Sequence, residues 1–201
     1  MFQEHYMKDA KMKILVATRN NDKFEIVKRL VQSAIKDSIL VNLASTEIEG
    51  DVVEVGTIRE RAIQKAKYFH EKCSELATHD EFAGVLAVDD GLAINGAEAS
   101  PNSKELTDQI LSGAWKPGTM IDVVRAFALI IGDEVPRAAE THVPFEFIGN
   151  PNEIKREDGR YPLSKVFAIP GDKVPVSELS PEAEDAYYSK FTNEHINLLF
   201  Q

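Results

Sequence analysis

The residues of this chain that are best suited to chemistry follow an apolar run near its beginning. Residues 14–17 are apolar, and Thr18, Asn20 and Lys23 come directly after them, where a helical pattern starts. The first turn of a helix offers backbone N–H groups without helical partners and the positive end of the dipole, and both favour an anion. A hydroxyl, an amide and an ammonium here predict a phosphate site without a glycine-rich loop. The alternative is that Thr18 and Asn20 are turn and cap residues and that Lys23 is solvated.

Two neighbouring carboxylates are the second candidate. Asp89 and Asp90 follow the apolar residues 84–88, which are predicted to be a strand that ends there. Open α/β sheets bind ligands at the carboxyl ends of their strands, and carboxylate oxygens suit Mg²⁺. Because successive side chains of a strand point to opposite faces, we expect one of the two to face the cleft. The alternative is a hairpin turn, since Asp-Asp-Gly is a common turn sequence.

The third candidate is an acidic loop at 47–54, which precedes a predicted helix at 57–76. The helix dipole accounts for most of these acids, but a single one could complete a metal site. Thr57 and Glu60 have the spacing of a capping box. Lys65 lies at the margin of the apolar stripe of this helix, so it could snorkel to solvent or reach along the helix into a cleft.

The elements that must position these residues alternate between strand and helix patterns, which predicts an α/β fold. We expect one domain over residues 1–201. Whether residues 1–11 form a flexible segment stays open. Further strands are predicted at 39–44, 125–131, 140–148 and 165–169, with the second and third of these antiparallel and a less ordered region at 101–118. The first helix and the helix at 57–76 each have one apolar face, formed by Phe24, Val27, Leu30, Val31, Ala34 and Ile35, and by Ile58, Ala62, Ala66, Phe69, Cys73 and Leu76. Ser180 and Pro181 begin the last helix as cap and first turn.

Composition limits the classes of partner. The 201 residues are 43% hydrophobic and carry a formal net charge of -10, which argues against a nucleic-acid surface. An acidic protein that binds polyphosphate usually needs a divalent cation between the two, so Mg²⁺ is expected. Cys73 is the only cysteine, which excludes an internal disulfide and fits a reducing compartment. The chain has no apolar run long enough to cross a bilayer, so we expect a cytoplasmic protein without a membrane partner.

Taken in order, these segments resemble the inosine triphosphate pyrophosphatase family, which clears deaminated purine nucleotides. The Thr-x-Asn-x-x-Lys motif of the family is matched by Thr18, Asn20 and Lys23. Its helical Thr-x-x-Glu-x-Ala-x-x-Lys-Ala pattern is matched by residues 57–66. Its Asp-Asp-Ser-Gly-Leu segment is similar to residues 88–92, which puts Asp89 at the main acidic position and Asp90 in place of a serine.

The resemblance implies an elongated, twisted mixed β-sheet flanked by helices, with two lobes around a central cleft. It implies an enzyme that hydrolyses a non-standard nucleoside triphosphate, a deaminated purine nucleotide, to a monophosphate and pyrophosphate with Mg²⁺. A homodimer is implied as well. On the matched positions, Glu54 and Asp89 would hold the metal, and Asp89 and Lys65 would act in catalysis. The substrate would be held by Thr18, Asn20, Lys23, Lys65, Asp90 and Lys190.

Departures from the family pattern concentrate in the segments that recognise the base. The Ser-His-Arg of the family falls on residues 188–190, where Lys190 is the one cation, and the lysine that precedes it falls on Glu184. Residues 163–167 occupy the place of an aromatic-Asp-Pro segment. Two alternatives therefore stay open beside the pyrophosphatase: a nucleotide-binding protein with impaired catalysis, and a related hydrolase for a different modified nucleotide.

Overall fold

The structure is a computed structural model that describes residues 12–35, 38–75, 81–101, 103–149 and 162–201. These residues form one six-stranded mixed sheet and four α-helices, which confirms the predicted α/β class. The strands are β1 (Met12–Val16), β2 (Ser38–Asn42), β3 (Gly84–Ile94), β4 (Met120–Ile131), β5 (Arg137–Phe147) and β6 (Phe167–Ala168). The helices are α1 (Asn21–Ala34), α2 (Ile58–Glu75), α3 (Ser103–Leu111) and α4 (Pro181–Leu199). The segment 1–11, whose flexibility the sequence left open, lies outside the described residues.

The sheet has the strand order β2-β1-β3-β4-β5-β6, with β1 parallel to both of its neighbours and the remaining pairs antiparallel. Pairing of β1 with β3 ends at Val16 and Leu86, whereas β3 continues to Ile94. Leu92 then exchanges two backbone hydrogen bonds with Ser100. Between these points, within the described part of the chain, no strand pairs with this side of β3. We call residues 87–91 on this side the open edge of β3.

The helices cover the sheet from both faces. The predicted apolar stripe of α2 is buried against β1, β3 and β4 at five positions, Ile58, Ala62, Ala66, Phe69 and Cys73, while Leu76 lies outside the described residues. The opposite face carries α1 and α4, and the predicted face of α1 is buried at Phe24, Val27, Leu30 and Val31. Odd-numbered residues of β3 therefore point to α2 and even-numbered residues point to α1 and α4.

Two predictions about Asp89 and Asp90 are wrong: the strand does not end before them, and they do not form a hairpin turn. Both lie inside β3, paired across to Ala126 and Arg125 of β4. Gly91 lies inside the strand opposite Val124 of β4, and on its other side the backbone of Ser100 passes close to it. A Cβ atom built on Gly91 would lie 2.5 Å from the Ser100 carbonyl oxygen. The glycine is thus required by a close backbone approach and not by a turn.

Other element boundaries also differ from those predicted. The region 101–118, predicted to be less ordered, contains α3, and the strand predicted at 165–169 is reduced to the two residues of β6 after a 3₁₀ turn at Pro162–Lys165. The strand predicted at 39–44 ends at Asn42, whose side chain accepts a hydrogen bond from the Ala44 amide and starts a 3₁₀ turn. The antiparallel strands β4 and β5 are confirmed, and both are longer than predicted. None of the helices in the described residues combines the length and apolar character that a membrane crossing requires.

Candidate functional site

Two of the polar side chains in the loop between β1 and α1 accept hydrogen bonds from backbone amides of the same loop and the start of α1. Asn20 Oδ1 accepts a hydrogen bond from the Lys23 amide at 3.0 Å, and Thr18 Oγ1 accepts one from the Asn20 amide at 3.2 Å. Both side chains therefore serve as cap and turn residues, as the alternative interpretation predicted. Lys23 does not fit that interpretation, because its ammonium lies 3.1 Å from Asp90 Oδ2.

Asp90 joins Lys23 to a second cation, Arg125, which lies directly opposite it in the pairing of β3 with β4. Arg125 Nε donates to Asp90 Oδ1 at 2.7 Å, and its guanidinium lies 5.9 Å from the ring centroid of Tyr188 on α4. We call Lys23, Asp90 and Arg125 the Asp90 cluster. Burial alone would raise the pKa of Asp90, but the charges of Arg125 and Lys23 outweigh it and hold the pKa well below its usual range. Burial also raises the pKa of Tyr188 to about 12, so its phenol stays neutral.

Asp89 points the other way, to α2, and belongs to a second group of charges. Arg61 Nε donates to Asp89 Oδ2 at 2.6 Å, and Arg61 Nη2 donates to Glu54 Oε2 at 3.1 Å. The Lys65 ammonium lies 2.7 Å from Glu54 Oε1 and 3.8 Å from Asp89 Oδ1. We call Glu54, Arg61, Lys65 and Asp89 the Asp89 cluster. It contains two acids and two bases, and their side chains are between 9% and 24% exposed.

Arg61 is the residue of this cluster that the sequence interpretation missed. It lies four residues before Lys65, so both side chains are on the same face of α2. That spacing, on a helix that directly follows an acidic loop, was the available signal. Lys65 itself does not snorkel to solvent, because both carboxylates of the cluster hold its ammonium inside the protein.

The two clusters lie on opposite faces of β3 and flank its open edge. The Leu86 carbonyl accepts a hydrogen bond from the Ala17 amide on this side of the strand. Because carbonyl directions alternate along a strand, the Val88 carbonyl points to the same side. The Lys65 ammonium is 3.4 Å from that carbonyl oxygen, so it reaches the open edge from the α2 face. Lys23 reaches Asp90 from the α1 face, and among the described contacts no ion pair joins the two clusters.

A cavity of about 440 Å³ adjoins the Asp90 cluster, between the start of α1, the strands β3 to β5 and the chain that leads into α4. Its polar lining includes Asn20, Lys23, Asp90, Arg125, Ser164, Lys165, Ser177, Glu184 and Tyr188. Apolar side chains, among them Val123, Phe145 and Phe167, form much of the rest. Lys190 is exposed on α4 and lies outside this lining, with its ammonium 5.6 Å from the ring centroid of Tyr187.

The donor set of the Asp89 cluster fits Mg²⁺. Glu54 and Asp89 supply hard oxygen ligands, and Lys65 contacts both, so the carboxylates are close to one another. Within the described residues, no group of three or more His, Cys, Asp or Glu side chains could hold a metal ion. Mg²⁺ is commonly bound by one or two carboxylates, with phosphates and water as the remaining ligands. The arrangement therefore suits a cation shared with a phosphorylated ligand and does not form a cage made of protein alone.

No protein-family model matches the sequence, and no curated protein does. The structure is similar to a HAM1 protein from Coxiella burnetii, with a TM-score of 0.65 and 19% identity over 94% of this chain and 98% of the other. It is similar to the Ham1 protein of Staphylococcus aureus, with a TM-score of 0.59 and 20% identity over 93% and 95%. It is also similar to a nucleoside-triphosphatase / dITP/XTP pyrophosphatase from Mycobacterium abscessus, with a TM-score of 0.56 and 24% identity over 94% of this chain and 100% of the other. The chain therefore has the fold of these proteins along nearly its whole length.

Proposed function

We propose that the protein is a nucleoside triphosphate pyrophosphatase. In this reaction a water oxygen attacks the α-phosphorus, the bond from that phosphorus to the bridging oxygen breaks, and a nucleoside monophosphate and pyrophosphate leave. The observation that carries the proposal is the arrangement of Lys23 and Lys65 on either side of the open edge of β3, beside a cavity of about 440 Å³. Small-molecule sites commonly have volumes of about 300–1,000 Å³, so a nucleoside is a suitable occupant.

Lys23 and Lys65 would bind the polyphosphate as two point charges, one from each face of β3. Asp90 is a poor candidate for the proton acceptor, because a carboxyl whose pKa is held below its usual range is a weak base at neutral pH. Its contacts with Lys23 and Arg125 support a different role, in which it fixes the direction of the Lys23 ammonium. The binding roles proposed for Thr18 and Asn20 would then use whatever hydrogen-bonding capacity their turn and cap contacts leave.

Glu54 and Asp89 would hold Mg²⁺ together with the substrate. When bound, the cation would neutralise charge on the phosphates and orient them for attack. Lys65 contacts both carboxylates and would keep them directed at the same place while it contacts the phosphates. This division assigns substrate positioning to the Asp90 cluster and the reacting phosphates to the Asp89 cluster.

Deaminated purine nucleotides are the first candidates for the substrate, because the similar protein from Mycobacterium abscessus is a dITP/XTP pyrophosphatase. A deaminated purine presents a carbonyl oxygen and a ring N–H side by side, as guanine also does, whereas adenine presents an amino group and an unprotonated ring nitrogen there. Lys165 and Glu184 both line the cavity, and a lysine ammonium could donate to the carbonyl oxygen while a glutamate carboxylate could accept from the ring N–H. Lys190, outside the cavity lining, would contact a substrate only with a change of side-chain position.

A substrate panel tests the proposal directly. The protein is incubated with Mg²⁺ and with deaminated, otherwise modified and ordinary nucleoside triphosphates, and pyrophosphate release is measured. We expect release from dITP and XTP at rates well above that from ATP, because adenine lacks both the carbonyl oxygen and the ring N–H. Release only from modified pyrimidine nucleotides would instead identify the related hydrolase as the correct alternative. Orthophosphate release without pyrophosphate would contradict the proposed site of attack.

A second candidate is a nucleotide-binding protein without turnover. It is favoured by one observation, namely that Arg61 and Lys65 already neutralise the two carboxylates assigned to Mg²⁺. Calorimetric binding of a nucleotide, together with no pyrophosphate release at saturating Mg²⁺, would support this candidate.

We also propose, as expected from the sequence, that the protein is a homodimer and is located in the cytoplasm. Light scattering on the purified protein measures its oligomeric state.

A further inference from the structure

Arg61 lies between the two carboxylates to which the proposed function assigns Mg²⁺. Its Nε atom is 2.6 Å from Asp89 Oδ2, and its Nη2 atom is 3.1 Å from Glu54 Oε2. Its Nη1 atom is 3.5 Å from the backbone carbonyl oxygen of Glu54. One guanidinium thus spans both acids, and within the described residues every hydrogen bond of the Arg61 side chain goes to one of them.

Lys65 contacts the two remaining carboxylate oxygens, Glu54 Oε1 at 2.7 Å and Asp89 Oδ1 at 3.8 Å. All four oxygens of the pair therefore face a cation that belongs to the protein. The formal charges of the four side chains sum to zero, so the group offers little net attraction to a second cation. A divalent cation bound to both acids would lie close to the two basic side chains, so charge repulsion favours its binding when one of them moves away.

Arg61 is better placed to move than Lys65. Its side chain is 24% exposed, whereas that of Lys65 is 15% exposed. Each of the two side chains contacts one backbone carbonyl, at 3.5 Å for Arg61 and at 3.4 Å for Lys65, so these contacts do not favour either. A guanidinium binds phosphate oxygens through two parallel N–H donors, so a polyphosphate offers Arg61 a partner at least as favourable as a carboxylate. An incoming polyphosphate would therefore draw away the side chain that covers the metal ligands.

We propose that Arg61 is a positioning residue that keeps divalent cations off Glu54 and Asp89 while no nucleotide is bound. The cation and the nucleotide then enter the site together. This inference rests on the proposed function for the identity of the incoming ligand. The claim that Arg61 keeps divalent cations off the two carboxylates concerns the protein and the metal alone, so it can be measured without any nucleotide.

The test is a Mn²⁺ titration without nucleotide, in which electron paramagnetic resonance measures the unbound ion. For Arg61→Gln we expect Mn²⁺ affinity to rise at least about tenfold over wild type, because the substitution removes a unit positive charge that contacts both carboxylates. For Arg61→Lys, which keeps one charge but cannot span both acids, we expect a smaller rise. Circular dichroism confirms that each variant is folded, and the lysine variant serves if the glutamine variant is not.

Two control variants make the result specific. Arg59→Gln removes a neighbouring arginine of α2 whose hydrogen bond goes to the Ala138 carbonyl, and its Mn²⁺ affinity should equal that of wild type. In the double variant Glu54→Gln with Arg61→Gln the gain should disappear. Equal Mn²⁺ affinity in wild type and both Arg61 variants overturns the inference, and so does a gain that survives in the double variant.

These outcomes are separable from the fate of the proposed function. A gain of Mn²⁺ affinity in Arg61→Gln with no pyrophosphate release from any nucleotide would support the role of Arg61 and contradict the pyrophosphatase. Pyrophosphate release by wild type with no gain of Mn²⁺ affinity in either Arg61 variant would support the pyrophosphatase and contradict the role of Arg61.

Discussion

The carboxylates of Asp89 and Asp90 belong to consecutive residues of β3 and lie on opposite faces of the sheet. Asp89 faces α2 and contacts Arg61, whereas Asp90 faces α1 and contacts Lys23. The two acids are consecutive in sequence, but β3 separates their charge clusters, which lie on either side of its open edge. Substitutions at these two positions should therefore disturb different groups, namely Arg61 and the proposed metal ligands at Asp89, and Arg125 and Lys23 at Asp90.

Replacing Asp89 by asparagine should abolish most turnover while the fold remains intact. The substitution removes a charged ligand assigned to Mg²⁺, and we expect pyrophosphate release with the best substrate to fall at least about 100-fold. Asp51→Asn is the matched control, because Asp51 is an exposed acid of the same loop as Glu54 and pairs with Arg19 at 3.3 Å. Wild-type rates in Asp89→Asn would show that the metal assignment is wrong.

Replacing Lys23 by methionine should weaken substrate use without removing the chemistry. The loss of one charged phosphate contact is expected to cost about 1.5–3 kcal/mol, or roughly 10- to 150-fold in kcat/KM. Lys28→Met is the control, since Lys28 is on the same helix but contacts Glu25 at 3.8 Å and does not line the cavity. Steady-state kinetics measures both variants, and equal losses in the two would argue against a phosphate contact at Lys23.

Replacing Asp90 by asparagine should lower stability in a manner that depends on pH. Breaking a buried ion pair leaves Arg125 without its carboxylate, and at pH 7 we expect the free energy of unfolding to fall by about 3–5 kcal/mol. The folded pKa of Asp90 lies below its unfolded value, so its contribution is complete above the unfolded pKa of about 4 and is lost as pH falls toward the folded pKa.

Urea denaturation of wild type and Asp90→Asn measures this difference at pH 7 and at several values below pH 4. The gap between the two proteins should be largest at neutral pH and should narrow steadily in acid. A gap that stayed constant over this range would show that the Asp90 carboxylate is not held ionised by Arg125 and Lys23.

Replacing Gly91 by alanine should destabilise the protein although the change adds one methyl group. That methyl would lie 2.5 Å from the Ser100 carbonyl oxygen and 2.1 Å from Ile58 Cδ1. Overpacking of this kind costs about 1–3 kcal/mol, because the Ser100 backbone must move away from β3. Thermal unfolding followed by circular dichroism should give a lower midpoint, and an unchanged midpoint would mean that this part of the open edge is more adaptable than the structure indicates.

Much of the local structure could be predicted from the sequence, because it depends on residues close together in the chain. The Thr57–Glu60 capping box forms as predicted, with the Thr57 amide donating to Glu60 Oε2 at 2.8 Å and the Glu60 amide donating to Thr57 Oγ1 at 3.3 Å. Ser180 accepts a hydrogen bond from the Ala183 amide and caps α4, also as predicted. Caps and apolar faces are set by spacings of three and four residues, which a single sequence displays.

The same locality explains the errors. The Asp-Asp-Gly sequence indicated the end of a strand or, as the alternative, a turn, but β3 continues through it because it pairs with β4 as far as Ile94. The short β6 and the unpredicted α3 lie where apolar patterns are brief, so tertiary packing decides their form. Pairings that join distant segments leave no periodic signal in one sequence.

The sequence by itself determined the α/β class, the caps and the types of side chain available for binding phosphate and metal. Only the tertiary structure decided which charges meet. It paired Lys23 with Asp90, placed Arg61 between Glu54 and Asp89, and left Lys190 outside the cavity lining. The physical reason is that strand alternation and the register of β3 with β4 assign each charged side chain to a face, and these depend on hydrogen bonds between residues far apart in the chain.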